Sequence, residues 1–305
     1  MKINHRKIFR VAVNAMLAAG LACGSGLVLA DNSDESEDAA QTPAKSEAAK
    51  STASSGGGSL AEKATNPTSF LMQLRLQDAY TTSYRNADSY GNAALFQGVF
   101  PTKLGWGKAA EIMINRVTLP YVTTPKIEGV SDDGRSVGMG DMLINTWLVA
   151  PLGKGKTMAW GATFTVPTAG DNEFTGAGSW QAGPTMAFVN TNTPTWQWGG
   201  MFYQQWSFNK TRESAKNVSI LSLQPIITKH FNHGWYISAP DTPSSYNFKT
   251  KQWTVNVGAA VGKITKWGPA PIQLFFETYY NVVGYDDTPS GKLTLKFNLG
   301  FLFPE

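Results

Sequence analysis

Charged and amide side chains recur at every second position within several otherwise apolar segments. Arg75 lies in "FLMQLRLQ", Glu277 in "LFFETYY" and Lys296 in "LTLKFNLG". Such a polar face could select solutes in a confined aqueous space, or its charges could pair into a network that fills that space. The residues assigned to this face are Gln73, Arg75, Gln77, Asp141, Asn145, Gln181, Gln205, Gln224, Asn256, Glu277, Lys296 and Asn298.

Catalytic and metal-binding arrangements have little support. His230 and His233 lie in "KHFNHG", a polar turn with no neighbouring carboxylate, and this context favours a solvated turn over a metal site. No Gly-x-Ser-x-Gly elbow or phosphate-binding glycine loop occurs. Ser219 and Ser222 have no evident histidine partner. We therefore predict no enzymatic activity, no cofactor and no metal site.

The polar face belongs to segments whose apolar residues have the two-residue period of a β-strand. Twelve such segments follow one another from residue 69 to residue 303. Several are about ten residues long, which is the length that a tilted strand needs to cross a bilayer. The sequence predicts an all-β fold, a transmembrane antiparallel up-and-down β-barrel of about 12 strands. In "EIMINRVTLPY" the alternation slips between Ile114 and Val117, which predicts a bulge.

Tryptophan placement supports a membrane barrel. An indole is favoured where hydrocarbon meets water, so it should lie near strand ends. The alternative, a soluble β-sandwich with core tryptophans, would not sort them in this way. The predicted interfacial aromatics are Trp106, Trp160, Trp196, Trp198, Trp235 and Trp267 beside short turns, and Trp180, Trp206 and Trp253 beside long loops.

The connections also alternate, with short lysine-containing turns on one side and longer polar loops on the other. This is the pattern of an outer-membrane barrel with periplasmic termini and short turns. Acidic pairs such as Asp132–Asp133 lie in the long loops. They could bind divalent cations or the cations that bridge lipopolysaccharide, although acidic loops are more often merely solvated.

The N-terminal region divides into two segments before the barrel. Residues 1–30 combine a basic start, an apolar run and a small-residue exit, which is typical of a secretory signal peptide. A transmembrane anchor and a lipoprotein acylated at Cys23 are the alternatives. Residues 31–66 are predicted to be a disordered tether rich in Ser, Ala and Gly, with a short helix near 59–65. Residues 67–305 form the predicted barrel.

The basic character of the chain comes from its predicted signal peptide. The formal net charge is +4, with 26 basic and 22 acidic residues, and the first thirty residues hold four of the basic ones and no acidic one. Cleavage therefore leaves 22 basic and 22 acidic residues. A neutral mature chain gives no support to nucleic-acid binding.

Several motifs resemble a bacterial outer-membrane family known as "MetA-pathway of phenol degradation", whose members often carry the labels "neuromedin U" or "transporter". The motifs are "LAEKATNP", "RVTLPYVTTP", "GMGDMLINTWLVAP", "WGATFTVPTAG", "GAGSWQAGP", "QQWSF", "LSLQPII", "GWYISAPD" and "NLGFLFPE". The resemblance implies a link to aromatic catabolism, but it supplies no binding residues.

These observations together predict a passive channel in the bacterial outer membrane for small solutes, with aromatic or hydrophobic ones as candidates. The alternative is a non-transporting structural or loop-binding barrel with a plugged lumen. Twelve strands allow either a narrow pore or a plugged one, and the helix near 59–65 is a candidate plug or a helix outside the barrel. The expected partners are a small-molecule solute, outer-membrane lipid, lipopolysaccharide and, through the C-terminal strand, the barrel-assembly machinery.

Overall fold

The computed structural model describes residues 59–304, except 88, 108, 127–133, 171, 173, 194 and 286–289. The predicted signal peptide, Cys23, tether residues 31–58 and the acidic pair Asp132–Asp133 lie outside the described residues. In the described part of the chain, no helix has the length and apolar character needed to cross a membrane.

Almost all of the regular structure is β-strand, as the two-residue periodicity predicts. One short helix, α1 (Leu60–Thr65), begins at Ser59, whose hydroxyl accepts a hydrogen bond from the Glu62 N–H at 3.2 Å. The strands are β1 (Met72–Arg85), β2 (Gly91–Lys103), β3 (Ile112–Thr123), β4 (Val137–Met139), β5 (Met142–Gly153), β6 (Lys156–Val166), β7 (Ser179–Thr193), β8 (Trp196–Lys210), β9 (Ser219–His230), β10 (Trp235–Ser238), β11 (Ser244–Asn247), β12 (Gln252–Trp267), β13 (Ala270–Val283) and β14 (Ser290–Phe303).

The strands form one closed antiparallel barrel. Each wall strand pairs with its sequence neighbour, and β14 pairs with both β13 and β1, so the sheet has no free edge. Strands β10 and β11 both pair with β9 and β12, so they are two halves of one wall strand. The short β4 pairs only with β3. The wall therefore has twelve strands, which confirms the predicted fold class.

The first strand begins and the last strand ends at the same end of the barrel, since Met72 pairs with Phe303. The connections at this end are short, for example two residues between β5 and β6 and between β12 and β13. We call it the short-turn end. The opposite end carries longer connections, such as the twelve residues between β6 and β7.

The two faces of the wall differ sharply in exposure. Phe297 in β14 is 59% exposed, whereas its neighbours Lys296 and Asn298 are 4% and 5% exposed. Because successive side chains of a strand point to opposite faces, Phe297 lies on the outside and its polar neighbours lie inside. This arrangement, apolar outside and partly polar inside, is that of a membrane barrel.

Inward-facing glycines let adjacent strands approach closely where the wall bends. A Cβ atom at Gly161 would clash with the backbone carbonyl of Thr146, and one at Gly183 would clash with that of Gln204. Glycine at such positions introduces the curvature that a closed barrel requires.

The predicted bulge between Ile114 and Val117 is wrong. Strand β3 keeps a continuous register with both β2 and β5 through this region. The alternation slips because polar Asn115 occupies an outward position, where its side-chain oxygen accepts a hydrogen bond from the Thr146 hydroxyl at 2.8 Å. The next residue, Arg116, consequently faces the lumen.

Candidate functional site in the barrel lumen

The split wall strand carries an inward bulge, Ala239–Pro243, between β10 and β11. Its five residues face four on β9, because Ser238 pairs with Thr228 and Ser244 pairs with Leu223. Two of its residues are prolines, which have no N–H to donate to a neighbouring strand. One extra residue with reduced pairing turns this segment into the lumen.

Asp241, in the inward bulge, is the centre of a polar cluster. Its Oδ2 lies 3.3 Å from Arg75 Nη1, and its Oδ1 accepts a hydrogen bond from Gln224 Nε2 at 2.7 Å. These partners come from β1 and β9, so the carboxylate links opposite parts of the wall through the lumen. Sequence reasoning missed Asp241, since "APDTP" has no strand periodicity and its Asp-Thr-Pro run is typical of a loop.

A second ion pair joins the last two strands beside this cluster. Lys296 lies directly opposite Glu277 in the β13–β14 register, with Nζ 3.3 Å from Oε2. Thr242 of the inward bulge donates its hydroxyl hydrogen to Glu277 Oε1 at 2.8 Å. The ion pair is therefore attached to the bulge as well as to the wall.

Arg75 lies on the first strand and Lys296 on the last, so closure of the sheet should make them neighbours; the register reproduces this prediction only in part. Lys296 pairs with Ala79 across the β1–β14 seam, while Arg75 pairs with Gly300, four positions further along. The two cations meet the same bulge rather than each other, since Lys296 Nζ lies 3.5 Å from the Asp241 carbonyl oxygen.

Arg116 is a further lumen cation that sequence reasoning missed. Its guanidinium carbon lies 4.9 Å from the centroid of the Trp147 ring, a cation–π contact. Trp147 is itself 3% exposed and donates its indole N–H to the Thr185 hydroxyl at 3.0 Å. Strict alternation from Ile114 would have placed Arg116 on the inward face. The predicted bulge between Ile114 and Val117 hid this.

The opposite side of the lumen is apolar, which the predicted polar lining did not anticipate. Inward side chains of β3 and of β5 to β9 pack into one buried cluster, and partly buried Phe70 and Val99 pack against it. The cluster fills part of the barrel interior as a protein core would. Its buried members are Ile112, Ile114, Trp147, Val149, Ala159, Ala187, Val189, Met201 and Ile226.

A small cavity lies where the charged and apolar walls meet. Its volume is about 90 Å³, and its lining includes the charged residues Arg75, Arg116 and Asp241 and the apolar residues Trp147 and Met201. A cavity of this size can hold water molecules, but it is far below the roughly 300 Å³ at which ligand pockets begin.

Helix α1 occupies the lumen at the short-turn end. The side chain of Gln197 donates to the Thr65 carbonyl oxygen at 3.0 Å, and Arg75 Nη2 donates to the Ala64 carbonyl oxygen at 3.1 Å. The Thr65 hydroxyl also lies 3.0 Å from His230 Nε2. Since Gln197 and Arg75 face inward, the helix lies inside the mouth and narrows it.

The other residues assigned to the polar face lie in varied surroundings. Asp141 lies at the long-loop end, where its carboxylate accepts backbone N–H groups of Ala169 and Ala177. It therefore fixes the β6–β7 loop and takes no part in the central cluster. Gln73 donates to the Ala64 carbonyl oxygen, Gln205 donates to Thr165, and Asn256 donates to the Pro243 carbonyl oxygen, while Gln77, Asn145, Gln181 and Asn298 are buried.

The predicted interfacial tryptophans lie on the surface. Their exposed fractions range from 37% for Trp160 to 64% for Trp106, and the set comprises Trp106, Trp160, Trp180, Trp196, Trp198, Trp206, Trp235, Trp253 and Trp267. Lysines accompany two of them near the short-turn end: Lys229 Nζ lies 5.2 Å from the Trp196 ring centroid, and Lys263 Nζ lies 4.9 Å from that of Trp235.

The two described histidines lie in different surroundings. His233 lies in a 3₁₀ turn with a φ of 60°, and His230 contacts α1. Within the described residues, no group of three or more His, Cys, Asp or Glu side chains could hold a metal ion.

Comparison with solved structures identifies the fold. The COG4313 outer membrane channel from Pseudomonas putida F1 is similar with a TM-score of 0.57 and 14% identity, over 76% of this chain and 94% of that one. The KdgM porin in complex with disordered oligogalacturonate aligns over 77% and 99%, with 8% identity and a TM-score of 0.41. No family model and no curated protein matches the chain, so membership of the phenol-degradation family stays a prediction. The fold is that of an outer-membrane β-barrel.

Proposed function

We propose that this protein is a passive channel for small solutes in the bacterial outer membrane. The supporting observation is the lumen cavity, whose lining includes both charged residues such as Arg75 and apolar residues such as Met201. A lining of this kind suits solutes with both a polar and an apolar part, including aromatic ones. The similar barrel from Pseudomonas putida F1 is described as an outer membrane channel.

In this proposal the lumen opens by movement of the elements that narrow it. A cavity of about 90 Å³ is too small to pass an aromatic solute, so α1, the inward bulge or both must shift. Neither is held by regular strand pairing. Helix α1 is held by side-chain hydrogen bonds, such as that of Gln197 to Thr65, and by packing of Leu60 and Ala64 against Leu71 and Leu302. The bulge is held by bonds such as that of Gln224 to Asp241. Each such bond contributes only about 0.5–1.5 kcal/mol, or about 1.5–3 when a charge takes part.

Planar-bilayer recordings test this function directly. We expect ion conductance from the mature barrel, and a larger conductance from a variant that lacks residues 31–66 and hence α1. Solute flux into liposomes should rise in the same order. If neither protein conducts ions or passes solute, the channel function is excluded.

A second function is favoured by the buried apolar cluster and by α1 in the mouth. A lumen packed shut in this way suits a structural barrel, or one that binds a partner through its long loops. This barrel would remain non-conducting after removal of α1, so the same recordings separate the two functions.

The proposed orientation follows from the connections. We place the short-turn end, with Met72 and Phe303, in the periplasm, and the long loops at the lipopolysaccharide surface. Strand β14 ends on outward apolar residues and is the segment that we propose the barrel-assembly machinery recognises. Protease treatment of intact cells should cut at the long loops and leave the short turns uncut.

A further inference from the structure

Arg116 differs from the other lumen cations in its surroundings. In the described part of the chain, the ion pairs of the lumen are Arg75 with Asp241 and Lys296 with Glu277, and no described carboxylate oxygen lies within 4.0 Å of Arg116. Its buried Nε also has no hydrogen-bond acceptor. The guanidinium therefore has an unused donor edge while Trp147 covers its face.

The cluster as a whole carries a surplus positive charge. Three cations, Arg75, Arg116 and Lys296, accompany two carboxylates, Asp241 and Glu277, which leaves one positive charge. Buried charges are normally paired, because an unpaired one loses its hydration without compensation. A lumen cluster with one surplus positive charge is therefore complementary to a solute with one negative charge.

The residues near Arg116 indicate the chemical character of the uncharged part of that solute. Ile114, Val99 and Met201 line the same cavity, and Trp147 lies beside them. These side chains suit an aromatic ring or a branched aliphatic chain better than a polyhydroxylated body, while the amides of Gln97 and Gln224 also line the cavity.

We infer that the channel selects small organic monocarboxylates with an aromatic or branched aliphatic body. The carboxylate binds the free edge of Arg116, since a guanidinium matches the two oxygens of a carboxylate, and the apolar body lies against Ile114 and Met201. This inference rests on the proposed channel function and names the solute class for it. It makes Arg116 a residue that determines specificity.

Benzoate and benzamide are suitable probes, because they share a shape and differ in charge. The full-length protein is recorded in planar bilayers in KCl, and block of the current by each probe gives its apparent Kd. We expect benzoate to bind the wild-type channel about tenfold more tightly than benzamide, the effect of one charge-assisted contact. Arg116→Gln should weaken benzoate block by about tenfold and leave benzamide block unchanged.

Arg85→Gln is the matched control, since it removes one positive charge outside the cavity. Arg85 donates to the carbonyl oxygens of Asn281 and Val282 and is absent from the cavity lining. This variant should retain the wild-type ratio of benzoate to benzamide affinity. A similar loss of benzoate block in both variants would show a general field effect and overturn the assignment of Arg116.

Two readouts separate failure of this inference from failure of the channel function. If the wild-type channel conducts ions and both probes block its current equally, the inference is overturned while the channel function stands. If the protein conducts no ions, the channel function fails, and calorimetric titration of benzoate into the full-length barrel in micelles still tests Arg116. Absence of binding that depends on Arg116 in that titration also overturns the inference.

Discussion

Replacing Lys296 with methionine should destabilise the barrel far more than removal of a surface charge. Glu277 is 0% exposed, its Oε2 has no hydrogen-bond donor, and Lys296 Nζ at 3.3 Å is the cation that compensates it. Methionine has a comparable length, so little cavity is created. Removing one member of a buried ion pair typically costs about 3–5 kcal/mol, because the other charge stays buried without a partner. We expect a loss of that size in the free energy of unfolding.

Urea unfolding in detergent micelles, followed by tryptophan fluorescence, measures this loss. The matched control is Lys266→Met at an exposed strand end, which should change stability by no more than about 0.5 kcal/mol. A double variant in which Glu277 is also replaced by methionine should recover most of the loss, since no buried charge remains. If Lys296→Met costs less than about 1 kcal/mol, or the double variant is worse than the single one, the argument is wrong.

Three further predictions concern the lumen and the wall. Asp241→Asn removes the anion paired with Arg75 and should shift the reversal potential in a KCl gradient toward chloride selectivity; an unchanged potential would contradict the charge count. Thr65→Val weakens the attachment of α1 by about 1 kcal/mol, so open probability in single-channel recordings should rise roughly fivefold; no rise would mean that α1 does not limit opening. Gly161→Ala should reduce the folded fraction in heat-modifiability gels because its Cβ clashes with the neighbouring backbone, whereas Gly200→Ala, whose Cβ would lie 3.7 Å from the Gln224 carbonyl oxygen, should fold normally.

The number of wall strands could be predicted because lipid-facing apolar residues recur at every second position of the strands. The ninth wall strand was only half predicted, since it is interrupted where Pro240 and Pro243 flank Asp241. An alternation of period two indicates which residues share a face. It does not indicate that a strand is interrupted by a bulge with one extra residue, and that the strand after the bulge pairs with the same two neighbours.

The lumen was less predictable than the wall. Glu277 and Lys296 were correctly placed on adjacent strands, because both lie opposite clear rows of apolar residues. In "MLINTWLVAP", by contrast, both faces carry apolar residues, so placing Asn145 inward did not show that Trp147 and Val149 on the same face form part of a buried apolar cluster. Contacts among side chains from distant strands, such as that of Arg75 with Asp241, depend on closure of the barrel and not on local sequence.

The lumen has a charged side and an apolar side, and the ion pairs of the charged side depend on closure of the barrel. The paired charges come from β1, β13, β14 and the inward bulge, so Arg75 meets Asp241 only when the β1–β14 seam has formed. A partly closed sheet would leave these charges beside apolar surface without their partners, which is unfavourable. The apolar wall, by contrast, is formed by consecutive central strands and needs no seam. The charged cluster therefore favours the fully closed barrel over partly closed ones.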